Sequence, residues 1–427
     1  MNIIERGQAF VQSLCGLAER TAWAWRRCPR CGSTLTIKNG SYVRRPWFLV
    51  GRQTVRVQRH LCHGCGRTYS EQSALLVRGS WYAREVQRCA LDQWQHTGSS
   101  LRRTAEWLRS WLGRQERWQM WRPLAEAAGA PCHLAASTIH RWLDGAGRRA
   151  QASVAGQLQG IGSGQVLGTD GLWAKRSGKA RRVVLLVADS ASGLLYPPVV
   201  AESEERAAAW RQLFARAQHA GLDLDGVRAI TSDGAVGLLD YLRHALGWVL
   251  HQRCVWHVWR QVSQHSARAG RQAAEGLADA VAQQVRRQVR KELHSLVRPI
   301  LDAPSYAEAE AALLNLQAHA CGAALAQHLN ELLDALLVYQ LAYCQGLQRV
   351  TPEWYWRDFR LRLSRGRNQR SDQRLERAAL LWATYHNFEP AQWRCERKRQ
   401  YRRPGQSALQ VAGAPPGQIS YLDALGV

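Results

Sequence analysis

Acidic residues are scarce in this chain. Its 33 Asp and Glu stand against 58 Lys and Arg, leaving a formal net charge of +25. A deficit of that size argues for a polyanionic partner over a basic surface that serves solubility alone. Also missing is any apolar run long enough to cross a bilayer, so no membrane partner is expected. The opening MNIIERGQAFVQSLCGL has neither a basic start nor a long apolar stretch, which predicts no export and a cytoplasmic location. Without export, the 11 cysteines are expected to be thiols or metal ligands, not a disulfide framework.

What the chain does have is unevenly placed. Its 427 residues, 46% apolar, suffice for two or three domains. The basic excess is +10 over residues 1–80 and +5 over 81–160, but only +3 over 161–349, and it rises again to +7 over 350–427. The middle is nearly balanced and the flanks carry the charge, as expected if accessory parts grip double-stranded DNA around a catalytic centre.

In the N-terminal flank, Cys28-Pro-Arg-Cys31-Gly and Cys62-His-Gly-Cys65-Gly repeat one spacing, with 30 residues between them. Each Cys-x-x-Cys turn points two thiolates at one place, and two such turns complete a tetrahedral Zn2+ shell. Four protein ligands leave no open position, so this zinc would be structural. His63 is an alternative ligand, but the doubled spacing favours Cys62 and Cys65. Lys38-Asn39-Gly40-Ser41 signals a hairpin turn and Gln53 to Leu61 alternates like a strand, which together predict a zinc ribbon over residues 1–80. Arg44, Arg45, Arg52, Arg56 and Arg59 crowd that hairpin and are candidates for phosphate contacts.

Residues 81–155 are helical in pattern. Thr97 to Ser100 reads as a turn and cap before LRRTAEWLRSWL, and Ser137 as a cap for IHRWLDGAG. A helix, a connection and a short polar helix suggest a helix-turn-helix-like DNA-binding region. Ser137, Thr138, His140 and Arg141 would then face a groove, with Ile139, Trp142 and Leu143 packed inward. A plain helical linker bundle is the competing reading. Gly156 to Gly164 is Gly/Ser-rich and reads as a linker.

From Gly164 to Arg260 the pattern changes to short strands. Val166–Thr169 and Val227–Ser232 each precede an Asp-Gly pair, Asp170 and Asp233. Arg182–Ala188 and Leu194–Val200 read as two further strands across a Ser-Ala-Ser-Gly turn. Glu202 to Ala220 has helical spacing, with Ala207, Trp210, Leu213, Phe214 and Ala217 on one face, and a last strand ends near Arg253. An aspartate before Gly often only caps a turn. Two of them, each at the end of a predicted strand, predict a site at a sheet rim in an α/β fold.

This order, together with Thr169-Asp170-Gly171, the segment Thr231 to Ala235 and Cys254-Val255-Trp256-His257, resembles a bacterial insertion-sequence transposase of the Mutator type. That group belongs to the DDE transposases, and the resemblance covers roughly Gly164 to Ala412. It implies a ribonuclease-H-like core with a helical insertion, and Mg2+ or Mn2+ held by Asp170, Asp233 and a glutamate beyond the insertion. On that pattern the core opens over 156–260, the insertion spans 261–348, and 349–427 completes the core. Glu353, next to Pro352 at the start of a basic helix, is the expected third carboxylate, although Val350-Thr351-Pro352 replaces the family's Asn-rich signature; Glu376 is the alternative. Cys254 and His257 form a family motif near the site, against the plain reading of a buried thiol and a satisfied histidine. His251 is either a further metal ligand or an exposed polar residue. Trp354, Trp356, Trp382 and Trp393 sit among arginines, where stacking on unpaired bases competes with core packing.

The expected activity is binding of transposon ends, DNA strand cleavage and strand transfer, by a homo-oligomer on DNA. An inactive DNA-binding protein derived from a transposase is the alternative, and a structure-selective nuclease is disfavoured by the N-terminal modules.

Overall fold

A computed structural model describes residues 27–71, 75–120, 132–162, 164–176, 178–340, 353–365, 371–390, 405–414 and 420–427. The first predicted helix, within residues 1–24, lies outside them, as do Pro352 and Trp393. The fold mixes α and β, in two compact units: residues 1–143 with Val427, and 144–426. The division falls within one helix, Ala136–Leu158.

In the first unit, strands β1 (Thr36–Arg44), β4 (Val55–Cys62) and β5 (Thr68–Ser70) form an antiparallel sheet in the order β1-β4-β5. A small ladder joins β2 (Trp47–Phe48) to β3 (Gly51–Arg52). The expected turn at Lys38–Ser41 is instead inside β1. The register to β4 slips between Lys38 and Ser41, so the Asn-Gly pair makes a bulge and the strand runs on. Helices α1 (Arg84–Thr97) and α2 (Leu101–Met120) are joined by the short turn predicted there. Gly98 takes the left-handed conformation, and Ser100 Oγ accepts from the Arg103 amide at 3.3 Å. Helix α3 begins at Ala136, so Ser137 lies in its first turn and not at its cap. Trp47, Tyr82, Val86, Leu108, Leu112, Leu134 and Ile139 share one core. The inward assignment of Ile139, Trp142 and Leu143 holds: Ile139 is fully buried and the other two pack against that core.

The second unit is built on a five-stranded sheet in the order β10-β9-β6-β7-β8. These strands are β6 (Val166–Arg176), β7 (Lys179–Asp189), β8 (Val199–Ala201), β9 (Ala229–Ser232) and β10 (Leu250–Arg253). The first three pair antiparallel, while β9 and β10 add parallel to β6. Gly156 to Leu158 still belong to α3, so the predicted linker shrinks to the turn that follows. The predicted strand over Leu194–Val200 is mostly an irregular segment with a single bridge at Leu195 before β8.

Helix α4 (Ala207–His219) starts later than Glu202 because residues 202–206 are used for side-chain and carbonyl contacts; Trp210 Nε1, for one, donates to the Glu204 carbonyl at 2.7 Å. Its buried face is Trp210, Leu213, Phe214 and Ala217, and it packs against β7 and β8. Helix α5 (Val236–Ala245) follows β9.

Helices α6 (Val255–Ala273), α7 (Asp279–Leu301), α8 (Tyr306–Ala318), α9 (Ala323–Asn330) and α10 (Leu333–Leu336) form a helical array with its own core, including Val258, Leu293, Val297, Leu316 and Leu329. The chain then returns to the sheet. Trp356 and Phe359 of α11 (Glu353–Arg365), with Leu375, Ala379 and Trp382 of α12 (Asp372–Phe388), cover Leu172, Val184, Leu186 and Ala188. Trp356 and Trp382 stack at 5.6 Å and are almost wholly buried, so both serve the core and not a base-stacking platform. The side chain of Trp354 lies outside the described residues.

Candidate active site and cysteine cluster

The parallel part of the sheet gathers the acidic site. Gly168 of β6 pairs with Thr231 of β9, and Ser232 of β9 pairs with Arg253 of β10. One or two residues further along, Asp170, Asp233 and Cys254 therefore fall side by side. Asp233 follows β9, as expected from sequence. Asp170 does not end its strand: it pairs with Leu186 of β7 in the middle of β6. The hairpin with β7 keeps β6 extended after β9 has stopped, so Asp170 still stands at the rim left by its shorter neighbour.

Asp233 also caps its turn, with Oδ1 accepting from the Ala235 amide at 3.1 Å. Asp170 has no turn to cap; its Oδ1 accepts from the amide of the next strand residue, Gly171, at 2.8 Å. These bonds orient both carboxylates. Asp170, Asp233 and His257 present ligand atoms that all lie within 4.8 Å of one another. Asp170 is only 3% exposed. A buried carboxylate beside a second carboxylate is costly unless cations share the charge, and these oxygens with one imidazole nitrogen are a donor set suited to a divalent cation.

The Cys254–His257 motif splits in two. Cys254 is a buried thiol pushed up to about 12, first by burial and further by the charges of Asp170 and Asp233. Its amide donates to the Ser232 carbonyl at 2.7 Å, which ties the start of α6 to β9. His257, one helical turn on, is the member that reaches the aspartates. His251 is not an exposed residue. Its Nε2 lies 2.7 Å from Ser232 Oγ, and burial, aided by Arg253, pushes it down to about 4. It is therefore a neutral hydrogen-bonding group, and Ser232 Oγ in turn accepts from the Gly234 amide at 2.9 Å.

Two charged residues near the site were not singled out from sequence. Glu204 Oε1 accepts from Trp173 Nε1 at 2.8 Å, and a Cβ at Gly171 would come within 2.1 Å of its Oε2. Burial raises the pKa of Glu204, and the Asp233 charge adds to that rise against the Trp173 bond. Arg253 lays its guanidinium over Gly234, where a Cβ would come within 1.2 Å of Nη1. The acidic run Glu202 to Glu205 was a signal for the first. The second had none beyond adjacency to Cys254.

Glu353 opens α11, and its side chain lies outside the described residues. Glu376 on α12 receives Arg216 Nη1 in an ion pair, and the same Nη1 donates to the Pro198 carbonyl at 2.9 Å. That engagement fits the structural reading of Glu376.

In the first unit the four cysteines converge. Cys28, Cys31, Cys62 and Cys65 hold their sulfurs within 4.8 Å of one another, with Cys28–Cys65 at 3.7 Å and Cys31–Cys62 at 3.5 Å. The two turns match: the Gly32 amide donates to the Cys28 carbonyl and the Gly66 amide to the Cys62 carbonyl, both glycines at positive φ. A backbone contact from Arg30 leads in bringing the Cys28 thiol down to about 6. Cys31 is lowered by a Ser33 backbone contact, yet the Cys62 thiol and burial carry it to about 12. Four thiols this close cannot all ionise side by side without a cation, and Zn2+ fits the set. His63 is exposed and outside the cluster.

The proposed DNA contacts are mixed in placement. Arg45, Arg56 and Arg59 are exposed, whereas Arg44 donates to the Ser80 carbonyl and Arg52 lies 5.1 Å over the Trp47 ring. Ser137 and Arg141 are exposed, Thr138 and His140 partly so, and Arg141 bonds Thr138 Oγ1 at 3.2 Å.

Residues 198–277 match the family model described as Transposase, Mutator family. The match takes in Asp233, Cys254 and His257 and supports a transposase function in general. No curated protein sequence matches the chain.

Proposed function

We propose that this protein is a DDE transposase of the Mutator type that cuts and joins DNA at Asp170 and Asp233. The observation that carries the reading is the convergence of Asp170, Asp233 and His257 at the end of β9, with two of the three inside the matched segment. The sheet order and the interposed helical array support a ribonuclease-H-like core with an insertion. Asp170 and Asp233 would hold Mg2+ or Mn2+, with Glu353 as third ligand. Such cations lower the barrier to in-line displacement at a phosphodiester.

The residues themselves act by position. The Gly171 and Ala235 amides fix each carboxylate, and Cys254 anchors α6 so that His257 faces the aspartates. In the cleavage step, an O–P bond forms from water as the P–O3′ bond breaks. The attacking water loses a proton and the departing oxygen gains one to become a 3′-hydroxyl. That hydroxyl then attacks target DNA in the joining step.

The four-cysteine cluster would hold a structural Zn2+ in a zinc ribbon. Arg45 and Arg56, with Ser137, Thr138, His140 and Arg141, would bind the transposon ends in an oligomer on double-stranded DNA. The alternative, an inactive DNA-binding derivative, is separated by one assay. Strand cleavage with Mg2+ or Mn2+ on end DNA, beside a binding shift on the same DNA, should show both activities. Binding without cleavage under every metal condition would favour the derivative.

A further inference from the structure

Arg253 has a charge the site does not account for. It is the last residue of β10, half-buried, and desolvation lowers its pKa against the favourable charge of Asp233. Its Nε is closed off from solvent and has no hydrogen-bond partner among the described residues. Leaving a buried guanidinium nitrogen unbonded costs free energy, because the water it gave up is not replaced by a partner. A group kept that way beside a site is positioned for something that arrives later.

The surroundings fix where that something binds. Gly234, at φ +79°, leaves the space that the guanidinium occupies. Every larger residue there would drive Nη1 away, so the Asp233-Gly234 turn and Arg253 are built around each other. The parallel register sets Arg253 beside Ser232, one residue from Asp233. His251, two residues before it, is neutral and bonded to Ser232, so it does not compete as a cation. The anion that fits has two oxygens to offer a guanidinium fork, as a phosphodiester does, and must lie within reach of Asp170 and Asp233.

Resting on the proposed reaction, we infer that Arg253 binds a non-bridging oxygen of the scissile phosphate, holding it in line and stabilising the charge that develops on it. Arg253 would thus supply the fixed positive charge of a site whose other near residues are acidic or neutral.

The test is single-turnover cleavage of end DNA in two forms: the natural phosphodiester, and the two separated diastereomers of a methylphosphonate at the scissile position, which replaces one non-bridging oxygen with methyl. Arg253→Ala should slow phosphodiester cleavage on the order of 100-fold with end binding intact, the scale of losing one donor to a developing oxyanion. On the diastereomer whose Arg253-facing oxygen is gone, the same substitution should cost only a few-fold. Arg253→Lys, which keeps charge but loses the fork, should fall between. An equal penalty on all three substrates would make Arg253 a structural counter-charge, and wild-type cleavage by Arg253→Ala would overturn the inference directly. If Asp170→Asn cleaves normally, the reaction itself is misassigned, an outcome that Arg253 variants alone cannot produce.

Discussion

The cysteine cluster and the acidic site solve one problem, gathering like groups at a point, by opposite means. The cysteine cluster is assembled from two turns, each complete within five residues and each made by its own backbone bonds. The acidic site has no local unit. Asp170, Asp233 and His257 come from a strand, a turn and a helix, and only the parallel register of three strands puts them together. If metals bind as proposed, the first arrangement ties folding to its thiols, whereas the second holds its carboxylates on a sheet that folds for other reasons, so those charges could be removed without removing structure.

Four experiments break or sharpen that contrast. The largest effect should come from Asp170→Asn or Asp233→Asn: cleavage falls roughly a thousand-fold or more, the cost of several kcal/mol of transition-state stabilisation, while thermal unfolding of the second unit is unchanged or slightly later. Early melting of either variant would show that the carboxylates hold the sheet together. The cysteine cluster should behave in reverse. A Cys28→Ser, Cys62→Ser double variant should lose its bound zinc by metal analysis, unfold the first sheet and weaken end binding, because metal binding supplies much of the folding free energy of such modules. An intact sheet with zinc content unchanged would count against the ligand set.

Packing comes next. Trp382→Ala should destabilise the second unit by about 3–5 kcal/mol in a denaturant titration, since it empties the stack with Trp356 and Phe359. The smallest effect concerns His251. Its folded pKa of about 4 lies below the ordinary 6.5. The unfolded chain therefore takes up the proton first, and the stability is lost as pH falls from 6.5 towards 4. Between pH 7 and 5 this group alone should remove about 2 kcal/mol, and His251→Gln should lose correspondingly less over the same interval.

The contrast also explains what could be read from the residues. The cysteine cluster was legible because two copies of one short motif bring their thiols together; the Asn39-Gly40 pair nearby misled, since cross-strand pairing carried β1 through it as a bulge. Most of the apolar strands were legible, Leu194–Val200 excepted, and so was the buried face of α4 apart from Ala207. The end of β6 was not, because its length is set by its partner β7 and not by its own composition. Glu204 and Arg253 escaped for a similar reason. Each is one charge among many, and its place depends on what glycine leaves open on a neighbouring segment, at Gly171 and Gly234.

The sheet's five strands are complete at Arg253, but the helices that cover Leu172, Val184 and Leu186 begin only at Glu353. During synthesis, at about 5–20 residues per second, that apolar face stays bare for roughly 5–20 s while the helical array is made. The nascent chain therefore passes through an interval in which Asp170 and Asp233 already have their strands but the layer behind them is missing. A ribosome that stops in this interval releases a sheet prone to sticking to other chains and lacking the expected third carboxylate. On the proposed reading, the third carboxylate, Glu353, is likewise made only in the last fifth of the protein.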